Sequence, residues 1–176
     1  MQYGVGLALA FAGDTKGTQL QVEKLANDLA KRFPEDTLVQ FNYLPTIHAQ
    51  LALNRTNPSK AIEALQASSP YELATTAVHF NFIGLYPVYV RGEAYLAAHQ
   101  GREAAAEFQK ILDHRGVVTN GPIGALAHFE MARAYALADE TAKARSAYQD
   151  FFTLWKDADP DIPILKEAKA KYAKLQ

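Results

Sequence analysis

His48, His79, His99, His114 and His128 are the side chains of this chain best suited to hold a metal or carry a proton near neutral pH. Their spacing argues against both roles. No two lie at i,i+4 and there is no His-Glu-x-x-His, so no helix face offers a ready pair of zinc ligands. Cysteine is absent, which removes thiolate ligands, thiol nucleophiles and disulfides. Asp113-His114 supplies two members of a hydrolytic triad. The serines, Ser59, Ser68, Ser69 and Ser146, lack the strand-to-helix elbow that exposes a serine nucleophile. Gly4-Val5-Gly6 lies within an apolar helical run with no strand before it and is no phosphate loop. Asn54-Arg55-Thr56 matches a glycosylation sequon and, with no secretion signal, reads as chance. Arg102, Glu103 and Glu107 read as a solvated helix face. The expectation is therefore a non-enzymatic chain, with no catalytic residue, no metal and no cofactor.

The elements that would position these residues follow from composition and breaks. The chain has 176 residues, 49% of them hydrophobic, enough for one packed domain. Lys plus Arg number 18 against 19 Asp plus Glu, a net charge of −1 that does not suit a nucleic-acid partner. The apolar opening Val5 to Phe11 is too short for a bilayer span and lacks a basic leader, so no membrane partner and a cytoplasmic location are expected.

Apolar residues recur every three to four positions with almost no alternation, which specifies helices and not strands. Gly13-Asp14, Phe33-Pro34, Asn57-Pro58, Ser69-Pro70, Tyr86-Pro87, Gly121-Pro122 and Asp159-Pro160 punctuate them, with Asp14, Asn57 and Asp161 as caps. The expected helices cover about 1–12, 15–33, 36–54, 58–68, 87–99, 101–113, 122–138, 140–155 and 162–175. Pro45 either kinks the third helix, at about 3 kcal/mol, or follows a short turn over 36–43. Residues 70–86 form a long connection, with or without one helical turn, rich in aromatics at Tyr71, Phe80, Phe82 and Tyr86.

The helices pair, and the pairs repeat. Gly92, Tyr95, Ala104 and Phe108 align with Ala132, Tyr135, Ala144 and Tyr148 at one constant offset. A small residue lets two helices of a hairpin approach, a tyrosine fills the space beside it, and a second small residue admits that tyrosine. Weaker units use Ala49, Ala61 and Leu65, and before them Gly6 and Gly13. Corresponding points near Leu9, Ala52, Tyr95 and Tyr135 follow one another at nearly even steps. Such a unit cannot bury its apolar face alone and stacks on its neighbours.

This order of small residue, tyrosine, alanine and aromatic resembles the tetratricopeptide repeat (TPR) family, with Val88 and His128 in place of its first aromatic and a step longer than its usual ~34 residues. The resemblance implies an all-α, right-handed α-solenoid of about four hairpins. It implies a single domain over 1–176, with repeats at about 1–33, 36–69, 87–113 and 122–155 and a capping helix at 162–175. In that family the first helices line a concave groove that holds a partner segment. Alignment to Tyr95 and Tyr135 carries the groove positions to Tyr43 and Gln50 in the second unit, Tyr86, Tyr89 and Glu93 in the third, and Phe129, Glu130 and Arg133 in the fourth. The family's Lys/Asn clamp for a terminal carboxylate is missing, its places being held by Thr46, Gln50, Val90, Leu126 and Glu130.

The runs 85–96 and 107–116 and the tail 154–163 also look like the C-terminal repeat region of large bacterial proteins that carry a Ser/Thr kinase or winged-helix domain. The chain opens directly into an apolar helix without a cap, as a piece of a larger protein does, and its last helix, with Leu165, Ala168, Tyr172 and Leu175 on one stripe, reads as a closing cap. The expected function is a protein-interaction scaffold, the tail of a signalling or regulatory protein. Self-association that pairs fused effector domains is the rival, and a helical enzyme of unrecognised type a minor one.

Overall fold

The computed structural model describes residues 2–13, 15–73, 85–119 and 121–175, and among these all regular structure is helical. The helices are α1 (Gln2–Ala12), α2 (Lys16–Arg32), α3 (Leu44–Asn54), α4 (Pro58–Leu65), α5 (Tyr86–Ala97), α6 (Gly101–Asp113), the short α7 (Arg115–Val118), α8 (Pro122–Leu137), α9 (Thr141–Leu154) and α10 (Pro163–Ala173). None is long and apolar enough to cross a membrane. Most lie where the breaks put them. The short α7 follows α6 after His114 and was not expected from the sequence.

The terminal signals act locally, with two shifts. Asn57 caps α4 by accepting from the Lys60 amide, and Thr15 caps α2 by accepting from the Thr18 amide. Asp14, the expected cap, lies outside the described residues. Asp161 does not cap α10; the helix opens two residues later at Pro163, and Asp161 pairs with Lys166 instead. Pro45 is accommodated by a widened turn. A π-helical stretch, Val39–Tyr43, runs straight into α3, and the Leu44 amide reaches back five residues to the Val39 carbonyl. That expansion makes room for a proline ring that an α-turn would force against the carbonyl four residues earlier. Asp36 caps the stretch by accepting from the Val39 amide.

Each long helix packs on the next in sequence: α1 on α2, α3 on α4, α5 on α6, α8 on α9. The first helices of these pairs also form a row in which α1 touches α3, α3 touches α5 and α5 touches α8. The second helices reach the following pair, with α2 against α3, α4 against α5 and α6 against α8, and α10 closes on α9. Leu165, Ala168, Tyr172 and Leu175 of the terminal segment pack with Phe129, Tyr148 and Phe151.

Three of the hairpins turn in the same way. Thr56, His99 and Asp139 each adopt a left-handed backbone, with φ of 55°, 57° and 60°. The amide after each donates to the carbonyl five residues back, Asn57 to Ala52, Gln100 to Tyr95 and Glu140 to Tyr135, at 2.8–2.9 Å. These are Schellman turns, which satisfy the last carbonyls of the first helix. Ala52, Tyr95 and Tyr135 are also corresponding points of the sequence repeat, so the repeat is a repeat of structure.

The third hairpin, α5 on α6, is closely packed. A Cβ at Gly92 would stand 2.6 Å from the Phe108 ring, so α5 can lie on α6 only without one. The fourth hairpin carries Ala132 against the same core as the aligned Tyr148. Gly101, at the start of α6, meets the backbone of α8, where a Cβ would fall 2.7 Å from the Ala134 carbonyl. Glu107 corrects the expectation of a solvated face. It is buried, and with Glu72 it grips Arg91 at 2.6 and 2.7 Å, while Lys110 reaches Glu107 at 3.0 Å. Burial works against the Arg91 charge, but the hydrogen bonds and charges of Glu107 and Glu72 outweigh it and hold its pKa above the ordinary value. Glu72 pins the segment after α4 to this hairpin, and next to it Tyr71 stacks on Phe41 with ring centroids 5.0 Å apart. Phe80 and Phe82, expected in the long connection, lie outside the described residues.

Replacing Gly92 with alanine should therefore destabilise the fold by about 1–3 kcal/mol despite alanine's better helix propensity. The loss should shrink when Phe108→Leu is added, because the smaller side chain clears the space. Urea denaturation of the two single variants and the double variant measures the coupling; additive losses would show that this contact does not set the hairpin spacing.

Candidate functional site

The row of first helices brings polar side chains from three elements to one place. Gln50 and Asn54 stand one turn apart on α3, Glu93 and Leu96 on α5, and Arg133 on α8; together with Leu53 and Ala97 they line a cleft of about 300 Å³. A second cleft of about 420 Å³ adjoins it, sharing Leu96 and Arg133 and adding His99, Leu137, Lys171 and Lys174 among others. The two clefts differ in charge. Amides and a carboxyl group wall the first, whereas the second adds two lysines to the shared arginine.

Of the eight positions expected from the sequence, five converge here. Gln50, Glu93 and Arg133 line the first cleft. Glu130 lies beneath, only 4% exposed, and accepts from Arg133 at 2.7 Å. The Tyr89 hydroxyl points to the Glu93 carboxyl. The ring of Tyr89 is 5% exposed and packs edge-on against Phe108, its centroid 5.9 Å away. The other three are taken up by packing. Phe129 is 2% exposed among Tyr148 and Phe151, with the Arg133 guanidinium over its ring at 5.7 Å. Tyr43 stacks on Tyr3 at 3.8 Å, and Tyr86 sits by Phe11 at 6.3 Å. The aromatic wall is thus largely internal, and what faces the cleft is a set of polar side chains beside Leu53, Leu96 and Ala97. Asn54, Leu53, Leu96 and Ala97 were not read from the sequence, although stepping three or four residues along the helix from Gln50 and Glu93 reaches all of them.

The electrostatics of the cleft follow from burial. Glu93 is pushed from 4.5 up to about 8, first by desolvation and then by the Glu130 charge; Arg133 and the Tyr89 hydrogen bond pull the other way. Glu130 is likewise raised by burial, against the pull of Arg133. Burial drives the Tyr89 hydroxyl far above its ordinary range, so it stays a donor. Glu93 therefore carries its proton in the free protein at neutral pH.

The histidines do not assemble. His48 is on α3, His99 in the turn after α5, His114 between α6 and α7, and His128 on α8, and His79 lies outside the described residues. Among the described residues no group of three His, Asp or Glu is placed to hold a metal ion.

The Glu93 shift has a sign that can be measured. The folded chain binds this proton up to about pH 8, the unfolded chain only to about pH 4.5, so the proton favours folding at low pH and its contribution is lost as pH rises between those values. Relative to wild type, Glu93→Gln should be about equally stable near pH 5 and more stable by a few kcal/mol near pH 8.5. Thermal unfolding of both proteins across this range checks it; parallel profiles would mean that Glu93 titrates like an ordinary carboxylate.

Comparison with family models, with curated proteins and with solved structures returns no match for this chain.

Proposed function

We propose that the chain is a right-handed solenoid of the tetratricopeptide type and a non-catalytic scaffold that holds a segment of another protein along the face made by α3, α5 and α8. The observation that carries this reading is the unfinished hydrogen bonding of that face. Gln50 Oε1 and Glu93 Oε2 are both buried without a partner. A buried polar atom left unpaired costs about 1–3 kcal/mol, and two at one cleft mark a place kept for something else. The repeated hairpin turns and the row of first helices support the solenoid. A cytoplasmic tail of a larger signalling or regulatory protein is the setting that fits the sequence resemblance. A second reading, self-association, draws on the first hairpin, where Val5 and Leu20 are 52% and 68% exposed.

A photo-crosslinking amino acid placed at Ala97, exposed at the edge of the cleft, should capture a partner protein in cells of the source organism. The same probe at Ala106, exposed on α6, should not capture it. Equal capture from both positions would remove the groove as the site. Capture of only a second copy of the chain would favour self-association.

A further inference from the structure

We propose that the cleft between α3, α5 and α8 takes one basic side chain, a lysine ammonium or an arginine guanidinium, from the partner segment, with Glu93 as its counter-ion and Gln50 as a second acceptor. This rests on the groove reading above and adds the chemistry of what enters.

The orientation of the amides is fixed by a relay. Asn54 Nδ2 donates to the Ala10 carbonyl in the last turn of α1 at 2.7 Å and to the Gly13 carbonyl just beyond it at 3.2 Å. Its Oδ1 must then be the acceptor turned to Gln50, whose Nε2 donates at 3.1 Å. Gln50 is left with its carbonyl oxygen, buried and unpaired, on a side chain only 7% exposed. At Glu93 the Tyr89 hydroxyl faces one side of the carboxyl, and Oε2 is the atom without a partner. Once Glu93 ionises, both unpaired atoms are acceptors. A group that satisfies them must bring at least two donors, and an ammonium has three and a guanidinium five.

Charge selects a cation over a neutral donor. The charged or titratable groups facing Glu93 are Tyr89 from α5 and Glu130 and Arg133 from α8, with Glu167 and Lys171 of α10 near Glu130; α3 contributes only the two amides. Arg133 is already engaged by Glu130. An ionised Glu93 is therefore left without a counter-charge of its own, and the incoming cation supplies one. At neutral pH the Glu93 proton leaves to solvent as the cation arrives, close to one proton per binding event, and the ion pair replaces a neutral acid. Lys171 and Lys174 disfavour a basic residue in the adjoining cleft, whereas at the Glu93 end the cation already present, Arg133, is paired with Glu130.

The test is a random decapeptide display selection against the whole chain at pH 8.5, with Ala97→Trp, which blocks the cleft from an exposed position, as a control. Selected peptides should share one lysine or arginine and fail to bind Ala97→Trp. Replacing that arginine by its neutral isostere citrulline, or that lysine by norleucine, should cost about tenfold or more. Wild type should bind about tenfold more tightly at pH 8.5 than at pH 6.5, and Glu93→Gln should lose both differences while keeping its helical circular dichroism. Peptides blocked by Ala97→Trp but indifferent to the citrulline or norleucine exchange would overturn the cation and leave the groove standing. Recovery of no peptide sensitive to Ala97→Trp would overturn the groove reading and this inference with it.

Discussion

The contact between Gly92 and the Phe108 ring sets the position of α5, and α5 is the helix through which the rest of the molecule is tied together. Three consecutive residues, about 100° apart around the helix, serve three different neighbours. Arg91 turns to Glu72 and Glu107 and secures the segment after α4. Gly92 admits the aromatic ring of α6. Glu93 turns to the cleft shared with α3 and α8. A side chain at residue 92 would lift α5 from α6 and shift the carboxyl group and the guanidinium together. The close approach is thus the common origin of the hairpin, the buried ion network and the polar cleft.

The two polar assemblies on α5 differ in charge balance, although each keeps a buried unpaired atom, Arg91 Nη1 in one and Glu93 Oε2 in the other. Around Arg91 the charges balance, two carboxylates against a guanidinium and the half-exposed Lys110, and both carboxylates are directly bonded. A network of this kind contributes little net stability over an apolar core of the same shape, but breaking it is costly, and it fixes which segment lies where. Around Glu93 the hydrogen bonding does not close within the chain. Gln50 and Glu93 each keep an unpaired oxygen, and the carboxyl stays neutral only by holding its proton. The proposed partner would complete this half-satisfied network, and the functional reading rests on it, since no relative supplies one.

Much of this was legible in the sequence because helix ends are written locally. Proline, glycine and Asn57 mark them wherever a side chain or ring acts on its own backbone. The repeat step was legible because the same small-aromatic pairing recurs, and the left-handed turns at Thr56, His99 and Asp139 keep that step. What was hidden depended on contacts distant in sequence. Glu107 has a surface pattern on α6, and only the return of Glu72 shows it to be interior. Alignment gave the face on which Tyr86, Tyr89 and Phe129 lie but not their depth, because Phe11 of α1 covers the first two and α9 covers the third. A short turn before Pro45 was one of two readings the sequence offered, but its π-helical form was hidden: the proline shows the strain, while the backbone's remedy leaves no residue of its own.

The central claim is that Glu93, at an acceptor-rich cleft, is a proton-bearing acid that a cation would pair. The most direct measurement is a pH titration of its side-chain carboxyl by carbon-13 NMR in the free wild-type protein, assigned through the Glu93→Gln variant. The expected midpoint is about 8. A midpoint in the ordinary range for glutamate, about 4–5, would mean that water already fills the cleft and solvates the charge, and would contradict it.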